Sequence, residues 1–252
     1  MILNNDPMLP DLPDPELDDM AIPLVVTELA AGRPVRPVSR TEVGVVSFAV
    51  AEGAELITYG RPSREFRPAD EAARLRWVSH FVTVPTVLGH GEDADGFRWL
   101  HLTGLAGAVS AVSERWREQP GIAVPELGAA LRRFHDRVPP ADCPWEWAIT
   151  GRVAQLPNGA YAFNCWPPLD EVVCHGDARS ANFLLDPDGH CAGYVGLGRL
   201  GIGDRWADLA PAIQGLAGNY GDGSQEAFLA GYGIALDARK LEFYTRLWNA
   251  AD

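Results

Sequence analysis

The residues best placed to do chemistry are His175, Gly176, Asp177 and Asn182, which lie between two apolar runs, Val172-Val173-Cys174 and Phe183-Leu184-Leu185. A carboxylate on a loop of this kind can orient a hydroxyl and take its proton. A carboxamide oxygen on the same support can ligate a hard cation. The competing reading is a polar turn joining two core strands. After the second apolar run, Asp186-Pro187-Asp188-Gly189 signals a tight turn, and Ala192 to Val195 reads as the returning strand of a hairpin.

The elements that must hold this loop follow from pattern. Residues 1–23 are rich in Asp and Pro and poor in apolar residues, which predicts a loose tail. A short helix is expected from Leu24 to Ala31, stopped by Gly32. Arg40 to Val50 alternates as one strand, with Gly44 read as a bulge, and Glu52-Gly53 turns it into a second strand, Ala54 to Tyr59. Pro68 to Ser79 has a proline at its start, Asp70 and Glu71 in its first turn, and Ala72, Leu75 and Val78 on one face, which is a helix. Strands are expected near Val84 to Gly91 and over Phe97 to Thr103, with a flexible connection from Gly104 to Gly107. An amphipathic helix is predicted over Val124 to Val138, closed by Pro139-Pro140, with His135 beside its apolar face as a structural hydrogen-bonding group. Two further helices are expected at Ala227–Tyr232 and Asp237–Ala250.

Composition narrows the classes of partner. With 252 residues, 47% of them hydrophobic, the chain can build one large or two modest cores. A net charge of −13 argues against nucleic acid, which is bound through clustered Lys and Arg. An acidic surface can attract a cationic ligand or simply keep the protein dissolved. Cys143, Cys165, Cys174 and Cys191 form no CxxC pair, so zinc is not expected and the thiols read as reduced, as in a cytoplasmic protein. No apolar run reaches membrane-spanning length, so a membrane is not an expected partner either. Composition sets no oligomeric state.

Several segments in shared order carry a family resemblance: Asp70-Glu71-Ala72-Ala73-Arg74-Leu75-Arg76-Trp77, Cys143-Pro144-Trp145, Val173 to Leu185, Gly198 to Arg205, Asp208-Leu209-Ala210, and Tyr232-Gly233-Ile234-Ala235 with Phe243-Tyr244. Over about residues 40 to 250 the chain resembles the aminoglycoside phosphotransferases of the 3′-type, small-molecule antibiotic kinases. The resemblance implies a bilobal α+β protein-kinase-like fold. A small N-lobe with an antiparallel sheet and a helix would span residues 24–103, and a larger, mostly helical C-lobe residues 104–252. It implies ATP or GTP with Mg²⁺ as cofactors and a small hydroxylated, cationic, antibiotic-like substrate. Asp177 matches the catalytic base, Asn182 a Mg²⁺ ligand, and His175 a catalytic-loop residue that holds the loop by hydrogen bonds. Thr103, Gly104 and Leu105 match the backbone that holds the nucleotide base, and Asp204 and Asp208 match braces of the C-lobe.

Two positions depart from the family pattern. Glu71 matches the helix glutamate that orients the ATP-binding lysine, but Thr58 stands where that lysine belongs, and Lys240 is the only lysine in the chain. Arg61, Arg64 and Arg67 are candidate substitutes, although a guanidinium is not equivalent to an ammonium at a phosphate. Where the family writes Asp-x-Gly for metal, the chain has Gly196-Leu197-Gly198. Each missing charge should raise the barrier by about 3–4 kcal/mol. Trp248 and Asn249 occupy places where the family presents acids to its substrate, which leaves Asp222, Glu226 and Asp252 as candidate cation contacts. Two readings therefore stand: an active phosphotransferase, or a catalytically impaired binding or regulatory protein of the same fold.

Overall fold

Alternating apolar residues make the first sheet. Val46, Phe48 and Val50 on one strand and Ile57 and Tyr59 on the next point to the same face, where they close over Val26 and Ala30 of a short helix. The computed structural model describes residues 20–41, 43–64, 66–147, 149–153 and 167–251. These residues divide into two compact units, one drawn from 1–114 and 184–198, the other from 115–183 and 199–252. The tail expected over residues 1–23 lies outside the described residues as far as residue 19, as does Asp252.

The first unit contains α1 (Leu24–Ala30), β1 (Val35–Arg40), β2 (Val46–Val50), β3 (Glu55–Gly60), α2 (Pro68–Val78), β4 (Val87–Glu92) and β5 (Arg98–Thr103). The strands form an antiparallel sheet in the order β1-β2-β3-β5-β4. The single strand expected over Arg40–Val50 is corrected to two: the chain turns at Thr41–Val45, where Gly44 takes φ +79° and its amide donates to the Thr41 carbonyl at 2.9 Å. Gly44 is thus a turn residue and not a bulge. β1 lies upstream, at the sheet edge, which tolerates Pro37 because an edge strand can spare a donor. α2 packs on β4 and β5 through Ala72, Leu75 and Val78. The unit is completed by a second sheet of β6 (Val109–Ser110), β8 (Phe183–Leu185) and β9 (Cys191–Tyr194). Its turn at Asp186 is fixed by the Asp186 carboxylate, which accepts from the Asp188 and His190 amides, each at 2.9 Å.

The second unit is mostly helical: α3 (Glu114–Arg117), α4 (Pro120–Arg137), α5 (Ile149–Val153), α6 (Trp206–Tyr220), α7 (Ser224–Tyr232) and α8 (Ala238–Ala251), with an antiparallel ribbon of β7 (Glu171–Cys174) and β10 (Gly201–Asp204). α4 begins four residues before the expected Val124, because proline is compatible with a helix's first position and Pro125 forfeits only one early hydrogen bond. α6 escaped the sequence reading because Pro211, Gly215 and Gly218 interrupt its apolar spacing. α4 and α7 meet backbone to backbone: a Cβ on Gly128 would stand 2.1 Å from the Phe228 carbonyl oxygen, and one on Gly231 2.1 Å from that of Pro125. Cys143, Cys174 and Cys191 are unbridged. No helix among the described residues is long and apolar enough to cross a membrane.

Candidate functional site

The β7–β10 ribbon delivers the chain into the loop that begins at His175. β7 is apolar and buried at Val172, Val173 and Cys174, and β10 pairs with it from Gly201 opposite Cys174 to Asp204 opposite Glu171. His175 is fully buried between the rings of Phe134 and Phe183, at centroid distances of 5.6 and 5.8 Å. Its Nδ1 accepts the Asp177 amide at 3.3 Å, which fits a group that positions the loop. Gly176 takes φ +86° and lies so close to Arg199 that a Cβ would fall 2.2 Å from the Arg199 carbonyl oxygen, so only glycine serves there.

Asp208, fully buried on the first turn of α6, braces the same loop. Its Oδ2 accepts the His175 amide at 2.6 Å and its Oδ1 the Gly176 amide at 2.9 Å. The His135 ring lies against Oδ2 through Nε2 at 3.0 Å, and its Nδ1 meets the Tyr232 hydroxyl at 2.7 Å. A carboxylate can only accept, so the Nε2 that faces it carries a proton. His135 is therefore structural. Asp204 anchors the ribbon's far end: its carboxylate accepts from Lys240 Nζ at 2.6 Å and from the amides of Asp170 and Trp206.

Asp177 and Asn182 come together on this frame. The Asn182 side-chain amide donates to the Asp177 carbonyl at 2.8 Å, and Ser180–Asn182 form one 3₁₀ turn. The Asp177 carboxylate is held by Arg179, whose Nε reaches Oδ1 and whose Nη2 reaches Oδ2, both at 2.7 Å. Burial alone would raise the Asp177 pKa, but the Arg179 guanidinium, helped by His175 and Arg199, more than offsets it and holds the carboxyl below the usual range. Sequence reasoning missed Arg179. The available signal was a cation two residues after an acid inside a loop.

The nucleotide-side candidates belong to the first unit. Thr58 lies on β3 opposite Ser47 and Leu100, on the sheet face away from Ile57 and Tyr59, and its hydroxyl makes a 3.5 Å contact with the Leu100 carbonyl. Leu56 on that same face packs with Ala108 and Leu184, flanked by Leu105 and Val195. Of the arginines considered as substitutes, Arg61 lies over the Phe97 ring and Arg67 pairs with Asp70 at 2.6 Å. Glu71 sits half-buried on α2, and a Cβ built on Gly198 would stand 3.6 Å from its Oε2. The Gly104 amide is committed to the Ala54 carbonyl at 2.7 Å, and the Thr103 amide to that of Thr86 at 2.9 Å, so neither amide remains to read a nucleotide base. Asp222 and Glu226 are exposed, at the turn before α7 and in its first turn.

The donor set does not suit Mg²⁺. That ion takes six oxygens in octahedral array and is usually held by carboxylates. In the second unit Asn182 offers one amide oxygen and the Asp177 carboxylate already accepts from Arg179. In the first unit Gly196, with φ +70°, has no side chain to offer. Among the described residues no group of three or more His, Cys, Asp or Glu is placed to hold a metal.

Comparison with known proteins bears on this geometry. The sequence model described as the phosphotransferase enzyme family matches residues 152–244. An aminoglycoside 3′-phosphotransferase of Streptomyces fradiae is 34% identical over 215 residues, which cover 72% of this chain and 79% of that protein. Among solved structures, aminoglycoside phosphotransferase APH(3″)-Id from Streptomyces rimosus superposes with a TM-score of 0.71 at 25% identity, covering 90% of this chain and 97% of the other. The same enzyme in complex with ADP and streptomycin gives a TM-score of 0.68 at 26% identity, with the same coverage.

Proposed function

The chain belongs to the aminoglycoside phosphotransferase family, and from that premise we propose that it transfers a phosphoryl group from ATP or GTP to a hydroxyl of a small cationic, aminoglycoside-like molecule. The observation that carries this reading is the rigid setting of Asp177: its main chain is clamped by Asn182, and the residues before it are pinned by Asp208. A base held this way meets the positional demand of proton abstraction. Asp177 takes the hydroxyl proton as the acceptor oxygen bonds to the γ-phosphorus. The bond from that phosphorus to the bridging oxygen breaks, its electron pair leaves on the diphosphate, and the proton passes from Asp177 to solvent. Phosphoryl transfer of this kind asks the protein mainly for positioning and charge compensation.

A second reading is favoured by Thr58 and Gly196. A neutral hydroxyl replaces the nucleotide lysine, and no side chain replaces the metal carboxylate, so the same fold could bind its ligands and transfer slowly or not at all. Incubation of the protein with ATP or GTP and a panel of aminoglycosides, followed by mass analysis of the acceptor, separates the two. Gain of one phosphoryl group supports the enzyme; an unmodified panel with every donor supports the impaired protein.

A further inference from the structure

The carboxylate assigned as base is shared. Both Asp177 oxygens accept from one guanidinium, which takes a lone pair of each and competes with an acceptor hydroxyl for the carboxylate. The two partners differ in exposure: the Asp177 side chain is 17% exposed and that of Arg179 59% exposed. The backbone beneath Arg179 is fixed, because the Asn182 amide donates to its carbonyl at 2.9 Å. The guanidinium can therefore leave the carboxylate while the loop stays in place.

Charge supplies a destination for it. A triphosphate brings negative charge that a phosphotransferase must compensate. The chain's one lysine, Lys240, is spent on the buried carboxylate of Asp204, and Thr58 is neutral. A guanidinium fork fits two oxygens of a phosphate as well as it fits a carboxylate. We propose that Arg179 exchanges partners during the reaction: it holds Asp177 in the free protein and turns to the transferred γ-phosphoryl group in the complex, releasing a carboxylate oxygen for the acceptor hydroxyl. This assignment rests on the phosphotransfer reading. It gives Arg179 two roles, keeping the base ionised until substrate arrives and supplying positive charge to the transferred group.

The test is calorimetric titration of the wild-type protein, Arg179→Gln and Arg179→Lys with ATP and with ADP, none of which requires turnover. Loss of a charge-assisted contact to the γ-phosphate should weaken ATP binding by about 10-fold or more in Arg179→Gln, leave ADP binding within about 2-fold, and be largely repaired in Arg179→Lys. Unchanged ATP affinity in Arg179→Gln, or an equal loss for ATP and ADP, overturns the assignment while leaving the phosphotransfer reading standing. A wild-type protein that binds neither ATP nor ADP, and neither GTP nor GDP in the same titration, overturns both.

Discussion

Asp208→Asn is close in shape to the native side chain and removes the charge that three donors share. In the native protein the carboxylate accepts the amides of His175 and Gly176 and the Nε2 proton of His135, with no solvent in reach. An asparagine has one acceptor oxygen. If it faces His175 and His135, its NH₂ group meets the Gly176 N–H donor to donor, and that buried amide is orphaned at a cost of about 1–3 kcal/mol. The two surviving bonds fall from charge-assisted to neutral and lose about 1 kcal/mol each. The sum is about 3–5 kcal/mol, a large share of the 5–15 kcal/mol that holds a typical domain together. Thermal unfolding should fall by about 6–20 °C for a chain of this size. Amide hydrogen exchange at residues 175 and 176 should lose protection ahead of the rest of β7. A loss below about 1 kcal/mol, with those amides still protected, would refute the claim that Asp208 braces the loop.

Two further outcomes follow from other residues. Gly196→Asp adds a carboxylate at the position where the resemblance calls for a metal ligand; its left-handed φ of +70° costs an Asp about 1–2 kcal/mol. Mg²⁺ should then raise the variant's ATP affinity over its metal-free value, and a calorimetric titration unaffected by Mg²⁺ would count against that placement. Glu55 accepts from the Arg33 guanidinium and lies 2.6 Å from His101 Nε2, and the Arg33 hydrogen bond, opposed by burial, keeps its carboxyl below the usual range. A depressed folded-state pKa contributes stability above the unfolded value that is lost as pH falls through the folded one. Acid unfolding of the wild type should therefore show a loss of stability below about pH 4.5 that Glu55→Gln lacks, and coincident acid profiles would refute it.

Much of the fold was legible because its signals are local. Pro68, Asp70 and Glu71 announce the start of α2, and Ala72, Leu75 and Val78 announce its buried face. The loop from His175 to Asn182 was legible for a similar reason, since apolar strands on either side isolate its few polar residues. What the sequence concealed is long-range. Asp208, His135 and Tyr232 sit on three different helices and meet only once α4, α6 and α7 pack, and the glycines at 128 and 231 that allow the close approach of α4 and α7 look like helix weakeners in isolation. Arg179 was local but silent, because two residues along a loop fix no side-chain direction until the 3₁₀ turn at Ser180–Asn182 sets it.

The central claim, that Asp177 is a phosphotransfer base, is tested most directly by the initial rate of aminoglycoside phosphorylation in the wild type and in Asp177→Asn under saturating ATP. The account predicts transfer by the wild type and a fall of about 10²–10⁴ in the variant, with ATP affinity retained. Equal rates in the two proteins would contradict it.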